Sequence, residues 1–198
     1  MAIPAAVALF ILAVPILTVL FEYGKTGASD IAMSALSLQA YALGLLAFML
    51  IKVLAPGYFS RQDTKTPVKI GIIAMAVNMV FNLMLVIPFH YLWQIGHVGL
   101  ALATSLAAFL NAGLLYRGLR KQGVYQPMLG WGAYLLRLLF ANGLMVVVLL
   151  GSFFFVSDWS VLSLWERVAG IAVICGLGLT VYLLALLAVG LRLRHFRR

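Results

Sequence analysis

The chain has 198 residues, of which 65% are hydrophobic and only 10% charged, and its mean hydropathy is +1.10. That balance excludes a water-soluble globular protein, whose surface draws on about 25% charged residues, and leaves lipid as the solvent. A net charge of +9 would suggest a nucleic-acid partner in a soluble chain, but the basic residues here flank apolar runs, so no nucleic acid is expected.

A helix crosses the roughly 30 Å hydrocarbon layer with about 20 apolar residues. Six such runs occur: Ala2 to Phe21, Met33 to Leu54, Ile70 to Ile87, Val98 to Tyr116, Leu138 to Val156 and Val168 to Leu191. They are continuously apolar instead of alternating, so they predict helices and not barrel strands.

The first run has no preceding Lys or Arg, exceeds the length of a signal-peptide apolar region and is followed by no small-residue cleavage site. It reads as a membrane span. Lacking a basic flank, it is expected to take its orientation from upstream helices, and the chain to be part of a longer protein. Pro4 and Pro15 mark places where it can bend.

After the second run comes Ala55 to Pro67, APGYFSRQDTKTP. Pro56 and Gly57 are expected to end one helix, and Pro67 to begin the next. Arg61 and Lys65 stand four apart with Asp63 between them. On a short interfacial helix both cations would meet anionic headgroups or a pyrophosphate; orientation anchoring is the role such residues play in every multispan protein.

In the third run Asn78 and Asn82 share a helix face, and the fourth carries Thr104 and Asn111. With no carboxylate beside them, these groups and Asn142 of the fifth run predict interhelical hydrogen bonds, worth about 1 kcal/mol apiece, in preference to ion binding. Gly99, Ala103, Ala107 and Asn111 form a narrow stripe that lets a neighbouring helix come close. Arg137 opens the fifth run beside Trp131 and Tyr134, placed to snorkel. The single cysteine, Cys175 in the sixth run, can make neither an intramolecular disulfide nor a thiolate metal cluster and reads as core filler.

The basic residues sort by side. Lys52, Arg61, Lys65 and Lys69 flank the second connection, Arg117, Arg120, Lys121 and Arg137 the fourth, and Arg192, Arg194, Arg197 and Arg198 form the tail. Only Lys25 and Arg167 fall on the other face, a split of twelve to two. This predicts six transmembrane helices with amino and carboxyl ends both cytoplasmic. Trp93, Trp131, Trp159 and Trp165 fall at run ends, as an aromatic belt would.

Catalytic chemistry finds little support. Glu22, Asp30, Asp63, Asp158 and Glu166 all lie in connections or at run ends, the three histidines are scattered, and no HExxH, Walker, GxGxxG-to-acid or nucleophile-elbow pattern occurs. No catalytic residue, metal site or cofactor is expected.

The stretch from Lys52 to Trp131 reads KVLAPGYFSRQDTKTPVKI, AVNMVFNLMLVIP, GLALATSLAAFLNAGLLYRGLRKQG and QPMLGW. It closely resembles the bacterial lipid II flippase family, MurJ, also called MviN. The resemblance implies an all-α integral membrane protein with a multidrug/oligosaccharidyl-lipid/polysaccharide exporter-type fold. That fold has fourteen helices: two six-helix lobes around a cationic cavity, then two helices that help form a lipid-tail groove. This chain resembles helices nine to fourteen, with 1–116 corresponding to the last four helices of the second lobe and 132–198 to the two additional helices. The implied activity is movement of undecaprenyl-pyrophosphate-linked peptidoglycan precursor, lipid II, across the bacterial cytoplasmic membrane by alternating access, with no bond made or broken. The implied partners are lipid II, anionic phospholipids and the missing upstream helices. What carries over is Arg61, Asp63 and Lys65 as headgroup or interface residues and Asn78, Asn82, Thr104 and Asn111 as polar intramembrane faces. A membrane scaffold or assembly subunit without transport is the competing reading.

Overall fold

The computed structural model describes residues 2–22, 26–125, 131–153, 159 and 163–189. Lys25, Asp158 and the tail arginines Arg192, Arg194, Arg197 and Arg198, which entered the charge count, lie outside the described residues. The elements are α1 (Ala2–Ile11), α2 (Ala13–Phe21), α3 (Ala28–Phe59), α4 (Lys65–Trp93), α5 (Gly96–Lys121), α6 (Trp131–Ser152) and α7 (Leu164–Ala188). Five of these are long and apolar enough to cross a membrane, and the bent pair α1 and α2 adds a sixth if it counts as one span. The chain forms two compact units, one built on Ile3–Ala35 and Met128–Arg198, the other on Leu36–Pro127.

In the Leu36–Pro127 unit, α5 is the central helix. Half of its most apolar window is buried, against 6% for α4, because its side chains are small: Gly99, Ala101, Ala103, Ser105, Ala107, Ala108 and Ala112 are all buried. The small-residue stripe meets α4, where a Cβ on Gly99 would stand 3.0 Å from the backbone of Leu85 and Val86. On the opposite side α5 runs parallel to α3. Ser105 Oγ donates to the Ala40 carbonyl at 2.7 Å, and a Cβ on Gly44 would fall on Ser105 Oγ. Ala47 packs with Ala108 and Ala112 one turn on. Without a hydrophobic effect between helices in lipid, this close backbone approach and its hydrogen bond supply the attraction.

The α3 end differs from the sequence expectation. Pro56 and Gly57 do not close the helix; it runs on to Phe59. Tyr58, fully buried with Leu54, Leu115 and Leu119, donates its hydroxyl to the Leu115 carbonyl at 2.8 Å, so packing against α5 outweighs the donor lost at Pro56. The turn comes at Gln62, which takes a left-handed φ of 59°. Asp63 N–H reaches the Tyr58 carbonyl and Gln62 N–H the Phe59 carbonyl, the paired bonds of a Schellman motif. At the end of α5 the same pair recurs, Val124 to Leu119 and Gly123 to Arg120, here with the glycine (φ 71°) such a turn favours.

In the other unit α6 and α7 run antiparallel, with Met145 and Leu149 against Gly178. Leu12, between α1 and α2, is 1% exposed and packs with Met145, Leu149, Tyr182 and Leu186. Trp159 also belongs to this cluster. Of the four tryptophans expected in an aromatic belt, it is therefore the exception: Gly170 leaves room for its six-membered ring, so it serves packing instead. Glu22, at the end of α2, pairs with Arg167 in the first turn of α7 at 3.1 Å, with side chains 17% and 11% exposed. At the same end Ser163 caps α7, its N–H and hydroxyl both donating to the Glu166 carboxylate at 2.9 and 2.8 Å.

Candidate functional site

The residues singled out in the sequence fall into two places, both in the Leu36–Pro127 unit. The first is a groove. Asn78, Thr104 and Asn111 line an open groove of about 500 Å³ together with apolar residues such as Phe48, Ile51 and Met79. Asn82 does not line it but supports it, its Nδ2 donating to Asn78 Oδ1 at 2.8 Å. Thr104 spends its hydroxyl proton on the Leu100 carbonyl at 2.9 Å. The Oδ1 atoms of Asn82 and Asn111 are buried without a hydrogen-bond partner among the described residues. In an apolar medium such an acceptor is costly unless an incoming donor satisfies it. The interhelical hydrogen bonds expected of these residues do not form among the described residues: Asn82 bonds Asn78 within α4, Thr104 bonds Leu100 within α5 and Asn142 bonds Leu138 within α6, whereas the bonds that join α3 to α5 come from Ser105 and Tyr58.

The second place is the end of the helices, where the connection after α3 and the end of α5 come together. Arg61 Nη1 donates to Gln122 Oε1 at 3.3 Å, so the two Schellman turns are tied side by side. Arg61, Lys65, Lys69, Arg117, Arg120 and Lys121 are all exposed here. Cations following the last turns of α3 and α5 also complement the carbonyl ends of those helices. Asp63 has a different task. Its Oδ1 accepts the Thr66 N–H at 3.0 Å, capping the first turn of α4, and bonds from the Thr66 hydroxyl and N–H hold its carboxyl below the ordinary carboxylate range.

Neither place holds the parts of a catalytic centre. Among the described residues no three His, Cys, Asp or Glu side chains gather where they would hold a metal ion. The groove offers amide and hydroxyl groups, which bind and orient but do not transfer protons efficiently at neutral pH. The features the sequence reading missed are the Tyr58 clasp, the Ser105 bond and the Glu22–Arg167 pair. Tyr58 lies inside the linker motif and Ser105 beside the small-residue stripe, but nothing local says which carbonyl each reaches.

Apolar helices packed through small residues, with basic side chains at their ends and amides on inward faces, define a multi-pass integral membrane protein. Comparison with known proteins makes this specific: the chain belongs to the family described as "Lipid II flippase MurJ", whose sequence pattern matches residues 1–170. It is 46% identical over 195 residues to the probable lipid II flippase MurJ of Vibrio cholerae, 98% of this chain and 36% of that protein. It is 42% identical to the Haemophilus influenzae relative, again covering 98% and 36%, and 38% identical to the lipid II flippase MurJ of Burkholderia cenocepacia, covering 100% and 37%. A solved structure of lipid II flippase MurJ in an inward closed conformation superposes with a TM-score of 0.65 at 25% identity, over 93% of this chain and 35% of that one. The chain thus spans little more than a third of the length of the relatives it matches. It is a multi-pass protein of the bacterial inner membrane.

Proposed function

We propose that this chain is part of a lipid II flippase, carrying undecaprenyl-pyrophosphate-linked peptidoglycan precursor across the cytoplasmic membrane by alternating access, without chemical change to the cargo. The observation that carries the reading is the family match over residues 1–170 together with relatives of that name aligned along nearly the whole chain. In this reading the chain crosses the membrane six times, α1 and α2 making one broken span, and both ends are cytoplasmic. Residues 1–116 supply the last four helices of the second lobe, and 132–198 the two helices that follow it.

The basic helix-end face is then cytoplasmic. Arg61 and Lys65 meet anionic phospholipid headgroups or the pyrophosphate of the precursor, each cation near the surface contributing about 1 kcal/mol, while Asp63 holds the turn that presents them. The polar faces of Asn78, Asn82, Thr104 and Asn111 turn toward upstream helices of the same protein, whose groups satisfy the buried amide oxygens. A pyrophosphate cannot cross hydrocarbon unshielded, so the chain transports only together with those upstream helices.

The test is complementation in cells depleted of their own flippase, comparing this chain with a version extended upstream while following expression and precursor accumulation. Rescue by the extended form alone is the expected result. Rescue by the short form would refute the need for upstream helices, and failure of both well-expressed forms would favour a scaffold without transport.

A further inference from the structure

The joint between α1 and α2 carries an inference of its own. The two helices meet at 68°, and the sequence supplies the cause. Pro15 has no N–H, so the Ile11 carbonyl loses its helical donor and is crowded by the ring. On either side the ladder persists, with Leu12 N–H bonded to the Ala8 carbonyl at 2.8 Å and Ile16 N–H to the Leu12 carbonyl at 2.9 Å. The joint is therefore confined to the turn between Ala8 and Ile16.

The two arms of the joint are held unequally. At one end of α2, the Leu12 side chain is locked in the α6 and α7 core. At the other, Glu22 is paired with Arg167 of α7. By contrast, the early turns of α1 face α7 across an apolar cleft of about 170 Å³, to which α1 contributes only Pro4, Ala5 and Ala8, and α7 contributes Cys175, Gly178 and Tyr182 among others. Val7, Ala8 and Ile11 lie against the core from the later turns of α1, but across the cleft itself side chains that end at Cβ or in a compact ring make few contacts with α7, so parting them there forfeits little.

We propose that α2 and α7 move as one body, clamped by Leu12 and the Glu22–Arg167 pair, and that α1 swings about Leu12 to open and close the apolar cleft. A membrane helix interrupted at proline has a place to bend that an unbroken helix lacks, and the reading does not depend on what the protein carries.

Electron paramagnetic resonance distances test it in phosphatidylcholine vesicles. Nitroxides on the native Cys175 and on Ala5→Cys, both exposed positions, report the cleft. A second pair, Leu20→Cys with Val168→Cys in a Cys175→Ser background, reports the clamp. The cleft pair is expected to show two distance populations that merge into one when Pro15→Ala restores the missing donor. The clamp pair is expected to give one narrow distance, broadened by Glu22→Gln. A single narrow cleft distance, two populations unmoved by Pro15→Ala, or a clamp pair already broad with Glu22 intact would each overturn the proposal.

Discussion

Gly118 lies where the last turn of α3 meets α5, and replacing it with alanine sets two opposed effects against each other. A Cβ there would land on the Tyr58 hydroxyl, which is fixed by its bond to the Leu115 carbonyl and enclosed by Leu54, Leu115 and Leu119. Overpacking of this kind costs about 1–3 kcal/mol, while exchanging glycine for alanine inside a helix returns about 1 kcal/mol. Gly118→Ala should therefore destabilise by roughly 1 kcal/mol. Tyr58→Phe alone should cost about 0.5–1 kcal/mol, toward the low end for a lost hydrogen bond, because the Leu115 carbonyl keeps its helical donor. In the Tyr58→Phe background the colliding oxygen is gone, the nearest remaining ring atom is 3.3 Å from the new methyl, and helix propensity decides. There, Gly118→Ala should be neutral or mildly stabilising. The four-protein cycle, measured by denaturant titration in micelles with tryptophan fluorescence, should give a coupling of about 1–2 kcal/mol. Additive single effects would show that Tyr58 and Gly118 do not meet and would refute the α3–α5 clasp.

Three further outcomes follow from named contacts. Glu22→Ala removes the carboxylate 3.1 Å from the partly buried Arg167 guanidinium and should lower stability by about 2 kcal/mol, most of it recovered in Glu22→Ala/Arg167→Met, which removes the partly buried cation as well; thermal unfolding of the three proteins checks this. Gln62→Gly should raise stability by roughly 0.5–1 kcal/mol in the same titration, since glycine takes the left-handed turn without a steric cost. Asp63 has a folded pKa below its unfolded one, so its cap is fully present above the ordinary carboxylate range and is lost as pH falls through the folded value; hydrogen exchange at Thr66 and the first turn of α4 should quicken on acidification, and Asp63→Ala should show the faster exchange already at neutral pH.

Much of this architecture was legible because lipid imposes one demand on every segment: the backbone must satisfy itself, so long apolar runs can only be helices. Met33 to Leu54 and Ile70 to Ile87 were found on that ground alone, and the structure merely lengthens them to Ala28–Phe59 and Lys65–Trp93. The linker was misjudged because Pro56 and Gly57 are local signals, whereas the end of α3 is set by Tyr58 reaching 57 residues along the chain to Leu115. Gln62 gave no warning, since a left-handed turn normally announces itself by glycine, as at Gly123. In the groove, the shared face of Asn78 and Asn82 followed from helical spacing, but their joining with Thr104 and Asn111 required the α3–α4–α5 packing that only tertiary structure supplies.

Arg167 shows how tertiary structure changes the meaning of a charge count. The proposed orientation rests on basic residues gathering at one face, and Arg167 stands against it as one of two on the other. The rule acts through exposed, uncompensated cations near the ends of spans. With its guanidinium 3.1 Å from Glu22 and only 11% of its side chain exposed, Arg167 belongs to the packing of α2 on α7 instead, where a charge at the membrane is tolerated because it is paired. The residue that most weakens the sequence argument for orientation is thus the one whose position the fold explains, and Glu22, an acid with no evident purpose in the sequence, acquires one.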